Sequence, residues 1–165
     1  MSNPHFYSLL NSGELVGDVI GAVMATPPIV TTGSIVCSRD VHAGRTITIN
    51  AAAGCAVTLP AATGTGSIYR FFIGTTITSN STTIKVANAN DVMSGRAYVI
   101  SDNSAAVLGY AAASTDDTIT LNGTTTGGFA GDFIEITDAI SGTYLVTLHT
   151  RATGTEATPF SATVS

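Results

Sequence analysis

Asp117-Thr-Ile-Thr-Leu-Asn-Gly-Thr-Thr-Thr-Gly-Gly-Phe-Ala-Gly-Asp-Phe-Ile-Glu-Ile-Thr137, followed at once by Asp138-Ala-Ile-Ser-Gly-Thr-Tyr-Leu-Val-Thr-Leu-His149, decides the fold of this 165-residue chain. Three runs in it, Thr118–Leu121, Asp132–Thr137 and Thr143–His149, are rich in Thr, Ile, Val and aromatics, the residue types that suit a pleated, half-buried surface. Asn122-Gly123, Gly127-Gly128 and Ser141-Gly142 stand between them and supply the positive φ that a tight reversal needs. The stretch reads as an antiparallel meander.

Successive side chains on a strand point to opposite faces. Ile134 and Ile136 therefore share one face, opposite Phe133, Glu135 and Thr137. Tyr144, Val146 and Leu148 share another, opposite Leu145, Thr147 and His149. Each strand has one wholly apolar face and a second that is only partly polar. A solitary sandwich normally presents polar residues there, so the surplus points to a partner.

The same vocabulary runs through most of the chain. Thr46-Ile-Thr-Ile-Asn50 alternates, turns through Ala51-Ala-Ala-Gly54 and returns as Ala56-Val-Thr-Leu-Pro60, where proline ends the strand. Ile68-Tyr-Arg-Phe-Phe-Ile73 assigns Tyr69, Phe71 and Ile73 to the core and Ile68, Arg70 and Phe72 to a half-polar outer face. Thr75–Thr78 and Thr83–Ala87 flank Ser79-Asn80-Ser81 as a hairpin, and Ala97-Tyr-Val-Ile100 and Val107–Tyr110 are further strands. The expected fold is all-β, an antiparallel β-sandwich or jelly-roll-like barrel of about eight to ten short strands, with an N-terminal arm.

That arm, residues 1–33, differs from the β domain, 34–165. Phe6, Tyr7, Leu9 and Leu10 form a dense apolar cluster, and Leu15 to Met24 has partial helical spacing interrupted by Gly17 and Gly21. Pro27-Pro28 forces an extended break. An exposed cluster of this kind marks an interaction site, so the arm is expected to dock outside its own core.

Only 10% of residues are charged, against about 25% in an ordinary soluble domain. So sparse a charge suits a protein packed against others. The net charge of −5 and five singly scattered arginines exclude a nucleic-acid stripe. Residues 1–26 lack the pattern of a signal peptide, and no run is long enough to span a bilayer. The expected compartment is a cytoplasm, with Cys37 and Cys55 as free, buried thiols.

Catalytic and metal motifs are missing: no nucleophile elbow, no His-Glu-x-x-His, no Walker loop and no Cys-x-x-Cys. Asp132 and Glu135 fall on opposite faces of a strand, which rules out a local acid–base couple. Asp116-Asp117 with Asp102 or Asp91 offers oxygen ligands to a cation, but solvated turn aspartates account for the same pattern. His149 with Asp138 lacks a nucleophile to complete a triad, and His5 and His42 read as solvated or interface residues. No enzyme, metal or cofactor is expected.

Nine segments, taken in order, resemble the small β-structured virion proteins of tailed bacteriophages. They are Ala43–Asn50, Val57–Gly66, Tyr69-Arg-Phe71, Ile77–Asn80, Ile84–Asn88, Asp91–Gly95, Asp117–Thr126, Gly131–Ile136 and Gly154–Phe160. The resemblance covers most of the β domain and carries over no catalytic residue. It implies a capsid decoration (cement) protein on the shell exterior, a trimer, with itself and the major capsid protein as partners and neither nucleic acid nor membrane. The expected interface is Phe6, Tyr7, Leu9, Leu10, Ile68, Phe72, Phe133 and Leu145. The alternative is a tail-fibre, head-fibre or tail-knob module whose groove, lined by Tyr98 and Tyr110, binds a host surface glycan.

Overall fold

A computed structural model describes residues 27–103 and 105–164. The strands are β1 (Ile29–Thr31), β2 (Ile35–Val36), β3 (Thr46–Ile49), β4 (Ala56–Thr58), β5 (Ile68–Ile73), β6 (Thr82–Lys85), β7 (Val92–Ser101), β8 (Val107–Ala111), β9 (Thr118–Leu121), β10 (Phe133–Ile140), β11 (Thr143–Ala152) and β12 (Phe160–Ser161). A single helical turn, α1 (Arg39–His42), lies between β2 and β3.

Two sheets form, ordered β1-β3-β5-β10-β11-β7-β8 and β12-β9-β6-β4-β2. They share one core and close into a sandwich rather than a barrel. From β1 to β6 the chain alternates between the sheets, so β1, β3 and β5 stack in parallel on one side and β2, β4 and β6 on the other. This three-turn coil is then extended by antiparallel pairs, β5 with β10, β10 with β11 and β6 with β9. The sheets are thus mixed, where the sequence reading expected antiparallel pairing throughout.

Two expected hairpins are absent for the same reason. β3 and β4 flank the Ala51–Gly54 turn but belong to different sheets, and so do β9 and β10. A turn signal fixes a change of direction; it does not say which strand is met afterwards. Thr75–Thr78 adds no strand to β6. Only the last third of the expected meander pairs locally: β10 and β11 meet across Ser141-Gly142, with Ile140 opposite Thr143. Ile29–Thr31, within the stretch read as arm, is the edge strand β1 beside β3.

The inward faces follow the alternation. Tyr69, Phe71 and Ile73 on β5, Ile134 and Ile136 on β10, and Tyr144, Val146 and Leu148 on β11 are all buried. Against them lie Val57, Ile84, Ile119 and Leu121 of the other sheet. Tyr144 keeps its hydroxyl satisfied by donating to the Pro60 carbonyl at 2.7 Å, which a buried phenol requires. Cys37 and Cys55 are free and buried, and burial pushes the Cys37 thiol up to about 12.

Four buried aspartates tie loops to this core. Asp138 accepts from the backbone N–H of Thr63, Gly64 and Thr65 and from the Thr65 hydroxyl at 2.7 Å. Asp117 holds the C-terminal segment through the N–H groups of Thr163 and Val164. Asp132 accepts from Gly128, Phe129 and Arg151 N–H groups, and Asp91 from Ala62 N–H and the Asn88 amide. Loops that bury carboxylates must supply donors in this way.

Candidate functional site

Among the described residues, the outward face of the seven-stranded sheet departs in composition from a finished, solvated β face. Register places its side chains in rows. Val30 of β1 lies beside Thr48 of β3, then come Phe72 of β5, Phe133 of β10, His149 of β11, Tyr98 of β7 and Gly109 of β8. Four rings thus stand side by side on adjacent strands, about 4.8 Å apart. Tyr98 and His149 are stacked, with centroids 5.5 Å apart and planes 22° from parallel.

The neighbouring rows continue the pattern. On one side Arg70 of β5 pairs with Glu135 of β10, its Nε 2.8 Å from Oε2, and Thr147 and Arg96 follow. Beyond them lie Ile68, Thr137, Leu145 and Ser94. On the other side of the aromatic row, Arg151, Ile100 and Val107 are aligned. Leu145 is 50% exposed, Ile100 58% and Val107 59%. Exposed large apolar side chains on one contiguous face are the signature of an interaction surface.

A shallow groove of about 420 Å³ opens on this face, lined in part by Tyr98, Ile100, Val107, His149 and Arg151. The Arg151 guanidinium lies over the Phe129 ring, 4.7 Å from its centroid, a cation–π arrangement. Among the described residues the Arg70–Glu135 pair is the sole ion pair; Arg151 stands close enough to the groove-lining Asp132 carboxylate to interact with it, and Arg96 faces outward without an ion pair. Three arginines against Glu135 and the groove-lining Asp132 leave the face a small positive balance in a chain whose net charge is −5.

Four of the eight residues expected at the interface fall on this face. Phe72 and Leu145 are exposed on this face, and Ile68 and Phe133 are half-buried on it. Phe6, Tyr7, Leu9 and Leu10 lie outside the described residues. Tyr98 lines the groove. Tyr110, the other residue expected to line it, turns to the inward side of β8 and packs against the core. Sequence reasoning missed Val30, Ile100 and Val107. The unbroken apolar run Ala97-Tyr-Val-Ile100 carried the signal for Ile100, since such a strand cannot bury both faces in one core.

The remaining chemical candidates are structural. Asp138 is buried on the side of β10 away from His149 and engaged with the Thr63–Thr65 loop, so the two do not meet. Asp116 and Asp117 spend their oxygens on Ala113, Thr163 and Val164 N–H groups, and no cluster of metal-ligating side chains occurs among the described residues. His42, expected in solvent or at an interface, is buried in α1, its Nδ1 accepting the Ser38 N–H at 2.9 Å. No helix among the described residues is long and apolar enough to cross a membrane.

Fold and surface together define an all-β sandwich with one apolar, arginine-bearing outer sheet face. Compared with protein-family models, curated proteins and solved structures, the chain finds no match.

Proposed function

We propose that this chain is a structural component of a tailed-bacteriophage virion, a capsid decoration protein that assembles with copies of itself and holds major capsid protein subunits from outside the shell. The observation that carries the reading is the outward face of the seven-stranded sheet, with Phe72, Tyr98, Ile100, Val107 and Leu145 exposed on it. Covering apolar surface stabilises a complex by about 25 cal/mol per Å² before the costs of association. Several copies joined in one assembly turn modest individual contacts into firm attachment. No step of this function needs a nucleophile, metal or cofactor.

The test is placement on the particle. Electron microscopy of intact virions should show density for the protein at regular positions on the head exterior, and purified protein should bind capsids stripped of it. Density confined to the tail would overturn the reading.

The second reading, a fibre or tail-knob module that binds a host glycan, rests on the Tyr98 groove. Sugars pack best on the open face of an aromatic ring. The stacking of Tyr98 on His149 covers one face of the tyrosine ring, and Tyr110, the second ring expected in the groove, packs inward against the core, which leaves a saccharide less aromatic surface than a protein partner would use. Retention on a glycan array, lost in Tyr98→Ala, would reverse that preference.

A further inference from the structure

We infer that the outward face of the seven-stranded sheet is the docking site for the N-terminal segment, residues 1–26, of a second copy of this chain. The inference rests on the self-assembly proposed above and adds which part of one copy meets which part of the next.

Charge decides against the simplest alternative. Two copies meeting face to face would set Arg70, Arg96 and Arg151 against the same arginines, with Glu135 and the buried Asp132 offsetting them only in part. Like charges brought together at an interface oppose association. The face calls for a partner that is apolar and acidic. Residues 1–26 are both: they hold Phe6, Tyr7, Leu9 and Leu10, then Glu14 and Asp18, and no lysine or arginine.

Reach and direction suit a neighbouring copy. Twenty-six residues extend to about 85 Å, while seven strands span about 29 Å, so length is no obstacle. The described chain begins at Pro27, whose carbonyl accepts from Arg45 Nη2 at 2.6 Å. Arg45 immediately precedes β3, so this bond keeps Pro27 alongside the start of the neighbouring strand, in line with the sheet. Pro27-Pro28 favours an extended backbone. The described chain therefore begins at the end of its own sheet, alongside β3. A contact between unlike surfaces, segment on face, also closes into rings when its rotation allows, which is how a trimer arises; a face-to-face contact yields only a dimer.

Full-length variants test this by sedimentation velocity over a range of concentrations, with circular dichroism to confirm folding. The wild-type chain should self-associate. Glu14→Lys with Asp18→Lys, or Arg96→Glu with Arg151→Glu, should each weaken association about tenfold or more. A chain carrying all four changes should recover, because the reversed segment then meets a reversed face. Arg96→Glu alone, a milder change at an exposed site, should give a partial loss if the double face variant misfolds. A wild-type monomer at micromolar concentration, association indifferent to the reversals, or failure of the fourfold variant to recover would overturn the inference. Capsid binding is read separately. Assembly that obeys the charge swap without capsid binding would sink the decoration reading alone, and capsid binding by a protein whose assembly ignores the swap would sink this inference alone.

Discussion

On the five-stranded sheet the outward positions are filled by Ala56, Thr58, Thr83, Lys85, Thr118, Thr120 and Ser161, with Thr118 covered by the C-terminal segment at Thr163 and Val36 at the β2 edge as the apolar exception. On the seven-stranded sheet the equivalent positions hold Phe72, Phe133, Leu145, Tyr98 and Ile100 among three arginines. Both sheets bury the same kind of inward face, built from Ile, Val, Leu, Phe and Tyr. The outward halves of their alternation therefore record what each sheet meets beyond the core. Threonine suits a strand in water, since its β-branch favours the pleat and its hydroxyl stays hydrated. A row of rings and aliphatic side chains is costly to leave in water and gains by being covered. On the proposed function, the contrast assigns solvent to one face and a partner to the other.

The largest effect should separate two adjacent residues. Phe71 is buried in the core and Phe72, next in sequence, is exposed on the outer face. Phe71→Ala should cost about 3–5 kcal/mol in urea unfolding. Phe72→Ala should cost less than about 1 kcal/mol in the unassembled chain. Equal losses would mean that the outer face is packed within the single chain, and the contrast would fail.

A smaller effect is expected from the loop clamps, and pH resolves it. Burial alone would raise the Asp138 carboxyl, but the Thr65 hydroxyl and the N–H groups of Thr65, Gly64 and Thr63 outweigh it and hold it below its ordinary value. Asp117 is lowered too: burial opposes it, and the bonds from Thr163, Thr118 and Val164 prevail. The folded state then binds these protons less readily than the unfolded chain. Their stabilisation is present above about pH 4 and is lost as pH falls through the lowered folded values. Asp132 runs the other way, because its burial outweighs its hydrogen bonds and raises the carboxyl. Asp138→Asn should therefore cost about 1–3 kcal/mol at neutral pH, and the gap to wild type should narrow as the solution is acidified below pH 4. A gap independent of pH would remove the charged clamp from the account.

The thiols should give the smallest signal in the folded chain. Burial raises both Cys37 and Cys55, with the Thr82 hydrogen bond partly opposing it at Cys55, and thiolate is the reactive form. Iodoacetamide at neutral pH should label neither until the chain is unfolded. A Cys37–Cys55 linked peptide from intact particles would contradict this.

Much of the contrast between faces was legible in the sequence, and little of the topology. Ile68–Ile73, Phe133–Thr137 and Thr143–His149 announce their inner and outer sides, because a period of two is local and a core-facing residue cannot change sides without shifting register. Which strands become neighbours is a long-range matter. Nothing near Thr46–Ile49 says that it lies parallel to Ile68–Ile73 rather than against Ala56–Thr58, since both choices satisfy the same alternation. The aromatic row was hidden likewise: Tyr98 and His149 are far apart in sequence and meet only through the parallel register of β7 and β11. Ile100 joins the face beside Arg151 by the same parallel register, and Val107 follows it through the local antiparallel pairing of β7 with β8.

The central claim is that the outward face of the seven-stranded sheet is buried in the working assembly while that of the five-stranded sheet is not. It is tested most directly by placing one lysine on each, Leu145→Lys and Thr83→Lys, and measuring the occupancy of both proteins on stripped capsids. Both chains should fold with stability within about 1 kcal/mol of wild type. Leu145→Lys should bind at least tenfold more weakly, while Thr83→Lys binds as wild type does. Undiminished binding by Leu145→Lys together with loss in Thr83→Lys would place the contact on the threonine face and contradict the account.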